Sequence, residues 1–425
     1  MKRFIKLLLP KQIFTFLQPF YHYIVSTIGA LLYRSPSKKL MVIGITGTKG
    51  KSSTAELVNS ILEEAGYTTA LLNTIQFKIG EKSIKNRLKM TMPGLFFIQK
   101  FLRDAVSEKC THAIVEMTSE GVKQFRHKYI DLDTLIFTNI APEHIESHGS
   151  FEKYLNAKLK LRDAIENSSK RDTAIIANTD DKYGKDFLNI VHSKKIPFSL
   201  NDIQYTTSDG GLRIVYKDLH IQSRLEGTFN AMNILAAIKL AEHIGVALKD
   251  IKKGIENVSL IRGRVEHIDI GQEFDVIVDY AHTPDSLEKL YKTFENKRKI
   301  CVLGNTGGGR DIWKRPEMGR IAGEYCEKII LTNEDPYDED PQKIVTDMKK
   351  GIRKDIQSKT VIIMNRREAI HESFIYAGKS SETKRKTVVI ISGKGTDPYI
   401  MEANGKKTMW DDVTVAKEEL EKLEN

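Results

Sequence analysis

With 425 residues, 40% of them apolar and 8% aromatic, the chain is long enough to bury roughly two or three domain cores and is too apolar to be disordered. Its net charge of +10 does not mark a nucleic-acid binder, because seven of the surplus charges lie in the first 39 residues, which hold no Asp or Glu. Three cysteines, Cys110, Cys301 and Cys326, far apart and without metal-ligand spacing, argue for a reducing compartment and no disulfide framework.

The basic pole comes first. Lys2, Arg3, Lys6 and Lys11 on one side, and Arg34, Lys38 and Lys39 on the other, flank 22 uncharged residues, 12–33. That length just spans a bilayer, but Pro19 splits the run, and Gln12, Gln18 and His22 add polarity. No small-residue cleavage site follows it. Three readings stay open: an interfacial helix with basic flanks, which is favoured, a membrane span, and a helix packed on protein. Tyr21, Tyr23 and Tyr33 suit a headgroup-level belt or a core. Ser35-Pro36-Ser37 reads as a linker.

The run 40–45 reads as a buried parallel strand and 52–65 as an amphipathic helix stopped by Gly66. Between them stands Gly44-Ile-Thr-Gly47-Thr48-Lys49-Gly50-Lys51-Ser52-Ser53. Strand, glycine-rich turn and helix N-terminus make a phosphate cradle, with backbone amides, helix dipole and Lys51 supplying positive charge. Ser52 is placed to ligate Mg2+ through its hydroxyl. Ile45 departs from the strict P-loop pattern, yet the flanks are right, so the chain is expected to bind a nucleoside triphosphate.

Further strands are expected at 69–73, 112–117, 134–138, 173–177 and 196–199, with helices at 94–107, 151–166 and 230–243. This alternation predicts a doubly wound parallel α/β sheet. A second cycle, with strands at 275–279, 299–303, 328–331, 360–363 and 387–392 and helices at 284–294, 315–326, 341–354 and 366–377, predicts a smaller Rossmann-like α/β domain. The expected division is an apolar, basic N-terminal segment 1–37, a P-loop domain 38–260 and a C-terminal domain 261–425.

Glu116 ends an apolar strand at the sheet edge where active sites of open α/β sheets lie, and a metal role is favoured over a capping one. The segment Thr138-Asn-Ile-Ala-Pro-Glu143-His144-Ile-Glu-Ser-His148-Gly149 follows another strand end. Its histidine pair shares that edge, so metal ligation is favoured there too.

At this point the chain resembles the Mur ligases, of the UDP-N-acetylmuramyl-tripeptide synthetase type. The stretches that carry the likeness are GITGTKGKSST (44–54), EMTS (116–119), TNIAPEHIESHGSFEKYLNAK (138–158), GTFNAMN (227–233), GRVE (263–266), DYAHTPDSL (279–287), GGGRDIWKRPEMG (307–319), NEDPYDEDP (333–341), NRREAI (365–370) and GKGTDP (393–398). They run in family order from about residue 40 to the end. The resemblance implies an ATP-dependent ligase that phosphorylates a carboxylate and lets an incoming amine displace the phosphate. It implies ATP contacts from Gly47, Thr48, Lys49, Gly50, Lys51, Ser52, Ser53, Asn233, Arg264 and His282. Ser52 and Glu116 match the ligands of one Mg2+, His144 and Lys158 those of a second, with Lys158 carbamylated. Lys51, Lys158, His144 and Glu116 form the implied catalytic set. Thr118, Ser119, Gln124 and Arg126 match the donor site, and Arg310, Glu334, Asp335 and Asp397 the acceptor site. The implied partners are a nucleotide-sugar peptide and an amino acid, without nucleic acid, in the cytoplasm or at the inner face of the cell membrane, with peripheral contact through residues 1–34 and an oligomeric state left open.

Three departures shape the expectation. Only about 40 residues precede the P-loop, where the family normally has a UDP-gripping domain. Glu334-Asp335-Pro336-Tyr337 stands where diaminopimelate-adding members carry Asp-Asn-Pro-Arg, which favours lysine or another diamino acid. Thr396-Asp397 replaces the usual His-Glu, and Thr118-Ser119-Glu120 the usual Ser-Ser-His. The alternatives are a folylpolyglutamate or cyanophycin synthetase-like ligase, and a membrane-attached ATP-binding subunit without ligase activity. The retained Lys51, Glu116, His144, Lys158, Arg264 and Arg310 argue against the last.

Overall fold

Apolar strands separated by helices can bury both faces only as a sheet covered on each side, and the segment 41–198 does this. The computed structural model describes residues 11–379 and 385–423. β1 (Met41–Thr46), β2 (Thr69–Leu72), β3 (Gln76–Ile79), β4 (Lys82–Lys85), β5 (His112–Glu116), β6 (Thr134–Phe137), β7 (Ala174–Asn178) and β8 (Lys194–Phe198) form one sheet in the order β4-β3-β2-β5-β1-β6-β7-β8. Alternation along the strands splits the core in two. Ile43, Ile45, Ile114, Ile136 and Ile176 face the helices Lys51–Glu64 and Thr228–His243. Val42, Val115, Leu135, Phe137 and Ile175 face the helices Leu95–Ser107 and Phe151–Glu166.

The second sheet orders β12 (Glu266–Ile268), β13 (Asp275–Asp279), β14 (Arg298–Leu303), β15 (Lys328–Leu331), β16 (Thr360–Ile362) and β17 (Thr387–Ser392) as β12-β13-β17-β14-β15-β16. Its strands also feed two cores, Ile277, Leu303, Leu331 and Ile390 on one face and Val278, Val302, Ile330 and Ile391 on the other. Beneath it Arg366 pairs with Asp412 at 2.7 Å, and both side chains are buried.

Several sequence expectations need correction. The antiparallel hairpin β3–β4 extends the first sheet at its edge, and β12 pairs antiparallel with β13. A separate three-stranded antiparallel sheet spans Gln204–Ser208, Gly211–Tyr216 and Leu219–Ser223. These strands alternate with short turns rather than helices, so a βα period does not register them. Cys301 and Cys326 are joined in a disulfide, with Cα atoms 6.1 Å apart. The crossover between the paired strands β14 and β15 returns Cys326 beside Cys301, which closes a separation of 25 residues. The cysteines therefore do not argue for a reducing compartment; Cys110 is free and buried.

Residues Lys11–Leu32 form one helix, α1, and Pro19 lies inside it rather than ending it. Pro19 is exposed, where a carbonyl deprived of its usual donor is open to water. Among the described residues no helix is long and apolar enough to cross a membrane. Of the basic residues ahead of α1, Lys2, Arg3 and Lys6 lie outside the described residues. One face of α1 packs on protein: Ser26 donates to the Phe125 carbonyl at 3.2 Å and Thr27 lies 2.9 Å from the Tyr129 hydroxyl. The expected linker is a 3-10 turn, Pro36–Lys39, whose Pro36 and Ser37 are buried and in which Ser37 accepts the Asp131 amide at 3.1 Å.

Candidate active site

The glycine-rich turn joins β1 to the helix Lys51–Glu64, and two glycines in it are required. Gly47 and Gly50 have φ of 149° and 83°, and a Cβ on either would collide with Thr138 or Asn233. Lys51 folds back over the turn to donate to the Thr48 carbonyl at 2.9 Å. The Thr48 amide donates to Asn139, and the Lys49 amide to the Asn139 side chain, each within 2.9 Å. Ser53 is buried in the first helical turn.

Glu116 ends β5 beside this turn. One of its oxygens accepts from the Ser52 hydroxyl at 2.9 Å and from the Thr74 amide and hydroxyl, and the other lies 3.8 Å from Lys51. A hydroxyl and a carboxylate side by side next to a phosphate cradle are the donor set that Mg2+ prefers, with phosphates and water completing its shell. Those two residues fit the ion. Among the described residues no group of three or more His, Cys, Asp or Glu could hold a metal without such outside ligands.

Lys158 is buried, donates to the Gly47 carbonyl at 2.6 Å, and has its amine 5.0 Å from the Tyr154 ring centre. Burial, and after it Lys51, hold its ammonium well below the usual lysine range. His144 stands on the other flank of Tyr154, with ring centres 6.4 Å apart. His144 has φ of 57°, and the amides of His144 and Ile145 donate to Asp311 of the C-terminal lobe at 2.9 and 3.0 Å. His148 does not join them; it meets Ser119 at 3.2 Å and Glu120 at 3.3 Å, and holds the Glu120 carboxyl down to about 2.

Glu143, which sequence reasoning left unassigned, links the two lobes. Its carboxylate takes Lys49 at 3.0 Å and His282 at 2.8 Å. Burial works against its charge, yet Lys49, His144 and His282 hold the carboxyl well below its ordinary value. Arg264 lies 4.6 Å over the Tyr280 ring with one nitrogen 3.5 Å from the Ser52 hydroxyl. Asn233 is buried against Gly50 and Thr54. The expected nucleotide residues thus converge on the glycine-rich turn from both lobes.

The expected acceptor residues converge as well. Lys394 is fully buried and donates to Asp335 at 2.9 Å and Asp397 at 3.4 Å. Lys89, from a loop of the first lobe, pairs with Asp335 and lies 3.0 Å from Asp397. Its two partners are more than 240 residues away in sequence, and no local pattern points to it. Arg310 lies 4.8 Å over the Tyr337 ring and makes no salt bridge among the described residues. Glu334 accepts from Thr306 at 2.9 Å, its second oxygen is buried without a partner, and burial raises its carboxyl. On the facing side Thr118 caps a short helix by accepting the Gly121 amide at 3.0 Å, Ser119 is buried, and Arg126 donates to Gln124 at 2.6 Å and to the Met92 carbonyl.

A phosphate-binding lobe facing a second α/β lobe across shared polar contacts is the architecture of a two-lobed nucleotide-dependent ligase. Residues 45–241 match the Mur ligase middle domain and 263–395 the Mur ligase, glutamate ligase domain. The chain is 34% identical over 388 residues to the UDP-N-acetylmuramoyl-L-alanyl-D-glutamate--2,6-diaminopimelate ligase of Syntrophomonas wolfei, covering 88% of this chain and 77% of that one. It is 33% identical over 418 residues to the UDP-N-acetylmuramyl-tripeptide synthetase of Borreliella burgdorferi, covering 94% and 80%. A solved diaminopimelate ligase structure superposes with a TM-score of 0.59 at 28% identity, covering 91% of this chain and 79% of that one. The chain belongs to the Mur ligase family. It is an ATP-dependent ligase that joins an acid to an amino acid.

Proposed function

We propose that this ligase adds an amino acid with a single carboxylate and a second amine, such as lysine, to a UDP-MurNAc-peptide-like donor in peptidoglycan precursor synthesis. The observation that carries the choice of acceptor is the charge arrangement around Asp335. Lys89 and Lys394 are both committed to Asp335 and Asp397, whereas Arg310 has no carboxylate partner among the described residues. A guanidinium without a carboxylate partner suits an α-carboxylate, and the acidic pair suits an ammonium in place of Lys89. Diaminopimelate brings a further carboxylate, to which Tyr337 offers no charge. Relatives are named for diaminopimelate, a different acceptor from the one proposed.

In this reading residues 38–260 hold ATP and donor, 261–425 hold the acceptor, and 1–37 lie ahead of both. Thr118, Ser119, Gln124 and Arg126 orient the donor, and the turn Gly47–Ser53 with Lys51 holds the phosphates. Asn233, Arg264 and His282 enclose the nucleotide. The donor carboxylate takes the γ-phosphoryl group of ATP, releasing ADP and leaving an acyl phosphate. The acceptor amine then attacks that carbonyl, loses a proton, and expels inorganic phosphate as the amide forms. Ser52 and Glu116 would hold one Mg2+, and His144 and Lys158 a second. Bound there, the ions would offset the crowded phosphate charge. Lys158 fits its part as a carbamate, because a buried amine held neutral can add carbon dioxide and become an anionic ligand.

The test is ADP and phosphate release with UDP-MurNAc-dipeptide against lysine, ornithine and diaminopimelate. Turnover with lysine or ornithine is expected, with kcat/KM at least about tenfold lower for diaminopimelate. A preference for diaminopimelate overturns the acceptor assignment.

A further inference from the structure

The helix α1 is turned inside out for a surface helix. Its protein-facing positions are His22, Ser26, Gly29 and Ala30, small or polar and buried. Its outward positions are Leu17 (45% exposed), Ile24 (55%), Ile28 (49%), Leu31 (72%) and Leu32 (64%). Leu17, Ile24, Ile28 and Leu31 recur at helical spacing and form one stripe along the outer face. A helix in water keeps its bulky apolar residues inward, and a contiguous outward stripe marks a surface that something else covers. At its C-terminal end stand Arg34, Lys38 and Lys39, exposed and without a salt bridge among the described residues.

We propose that α1 docks the chain on an anionic lipid surface, lying in the headgroup plane with its apolar stripe inward to the acyl boundary. Charge selects this occupant. A second copy paired through the stripe would offer Arg34, Lys38 and Lys39 no acid from its own α1 segment in either orientation, whereas acidic headgroups complement them. The first 39 residues carry no acid to oppose such contact. Because no described helix can cross a bilayer, the contact is peripheral. Ser26 of α1 bonds the Phe125 carbonyl, which seats the helix next to Gln124 and Arg126, the residues assigned to the donor.

The full chain should float with phosphatidylglycerol vesicles and bind phosphatidylcholine vesicles about tenfold less, with added salt weakening the former. I24E/L31E should reduce flotation about tenfold or more while keeping ATP binding, which shows that the variant folds. K38E/K39E should remove the preference for phosphatidylglycerol. Absence of flotation of the native chain, equal flotation of I24E/L31E, or a concentration-dependent dimer that I24E/L31E disperses would each overturn the proposal. The acceptor panel, run without vesicles, tests the ligase reading separately.

Discussion

Around the glycine-rich turn, Lys49 and Lys51 pair with Glu143 and Glu116 and Arg264 reaches the Ser52 hydroxyl, whereas around the proposed acceptor position Glu334, Asp335 and Asp397 stand with Lys394 and the borrowed Lys89. In the first group burial, with neighbouring cations after it, pulls both Lys51 and Lys158 down from their ordinary values. Incoming phosphates relieve that repulsion while the cradle stays as it is. The second pocket is already answered by an ammonium from the opposite lobe, so an acceptor amine has to exchange with it. On the proposed assignment, the first site would be preset for its ligand and the second would open by exchange of Lys89.

The sharpest test of the preset side is Lys51→Ala. Turnover should fall about 100- to 1,000-fold or more, because a fixed charge aimed at the transferred phosphoryl group is lost. Near-native phosphate release would detach the turn from the chemistry. On the acceptor side the foundation is Arg366 with Asp412, and Asp412→Ala should cost about 3–5 kcal/mol in urea unfolding, since it strands a buried guanidinium. A loss under about 1 kcal/mol would mean the pair is not the support it looks to be. Lys89→Ala probes the exchange itself. The acceptor KM should drop about two- to tenfold with the ATP KM unchanged, and a raised acceptor KM would make Lys89 a positioning residue instead.

The smallest effect is on pH. Burial, and after it Lys49, hold His282 down to about 4 from an ordinary 6.5. The unfolded chain therefore takes up this proton first as pH falls, so the stability from His282 is complete above pH 6.5 and is lost on the way to pH 4. Melting temperature should fall across that window, and His282→Gln should flatten the slope. An unchanged slope would put the acid sensitivity elsewhere.

Much of this site could be read in the chain because its signals are local. The turn Gly47–Ser53, the strand-ending Glu116 and the order of the motifs need only neighbours in sequence. Glu143 and Lys89 escaped because what defines them, His282 in one case and Asp335 with Asp397 in the other, lies across the interlobe cleft. The hairpin β3–β4 is half exposed and rich in lysine, so it lacks the apolar run that marks a buried strand. Pairing of Cys301 with Cys326 depends on a strand order that spacing alone does not specify.

Asp311 ties the turn that carries His144 to the opposite lobe. Its two oxygens take the amides that open the short helix Ile145–His148, so one lobe supplies the N-terminal cap for a helix of the other. His144, at the start of that helix, holds a left-handed backbone that costs a non-glycine residue about 1–2 kcal/mol. Without Asp311 that turn would lose both of these amide partners. The backbone that orients His144 therefore depends on a contact supplied by the other lobe.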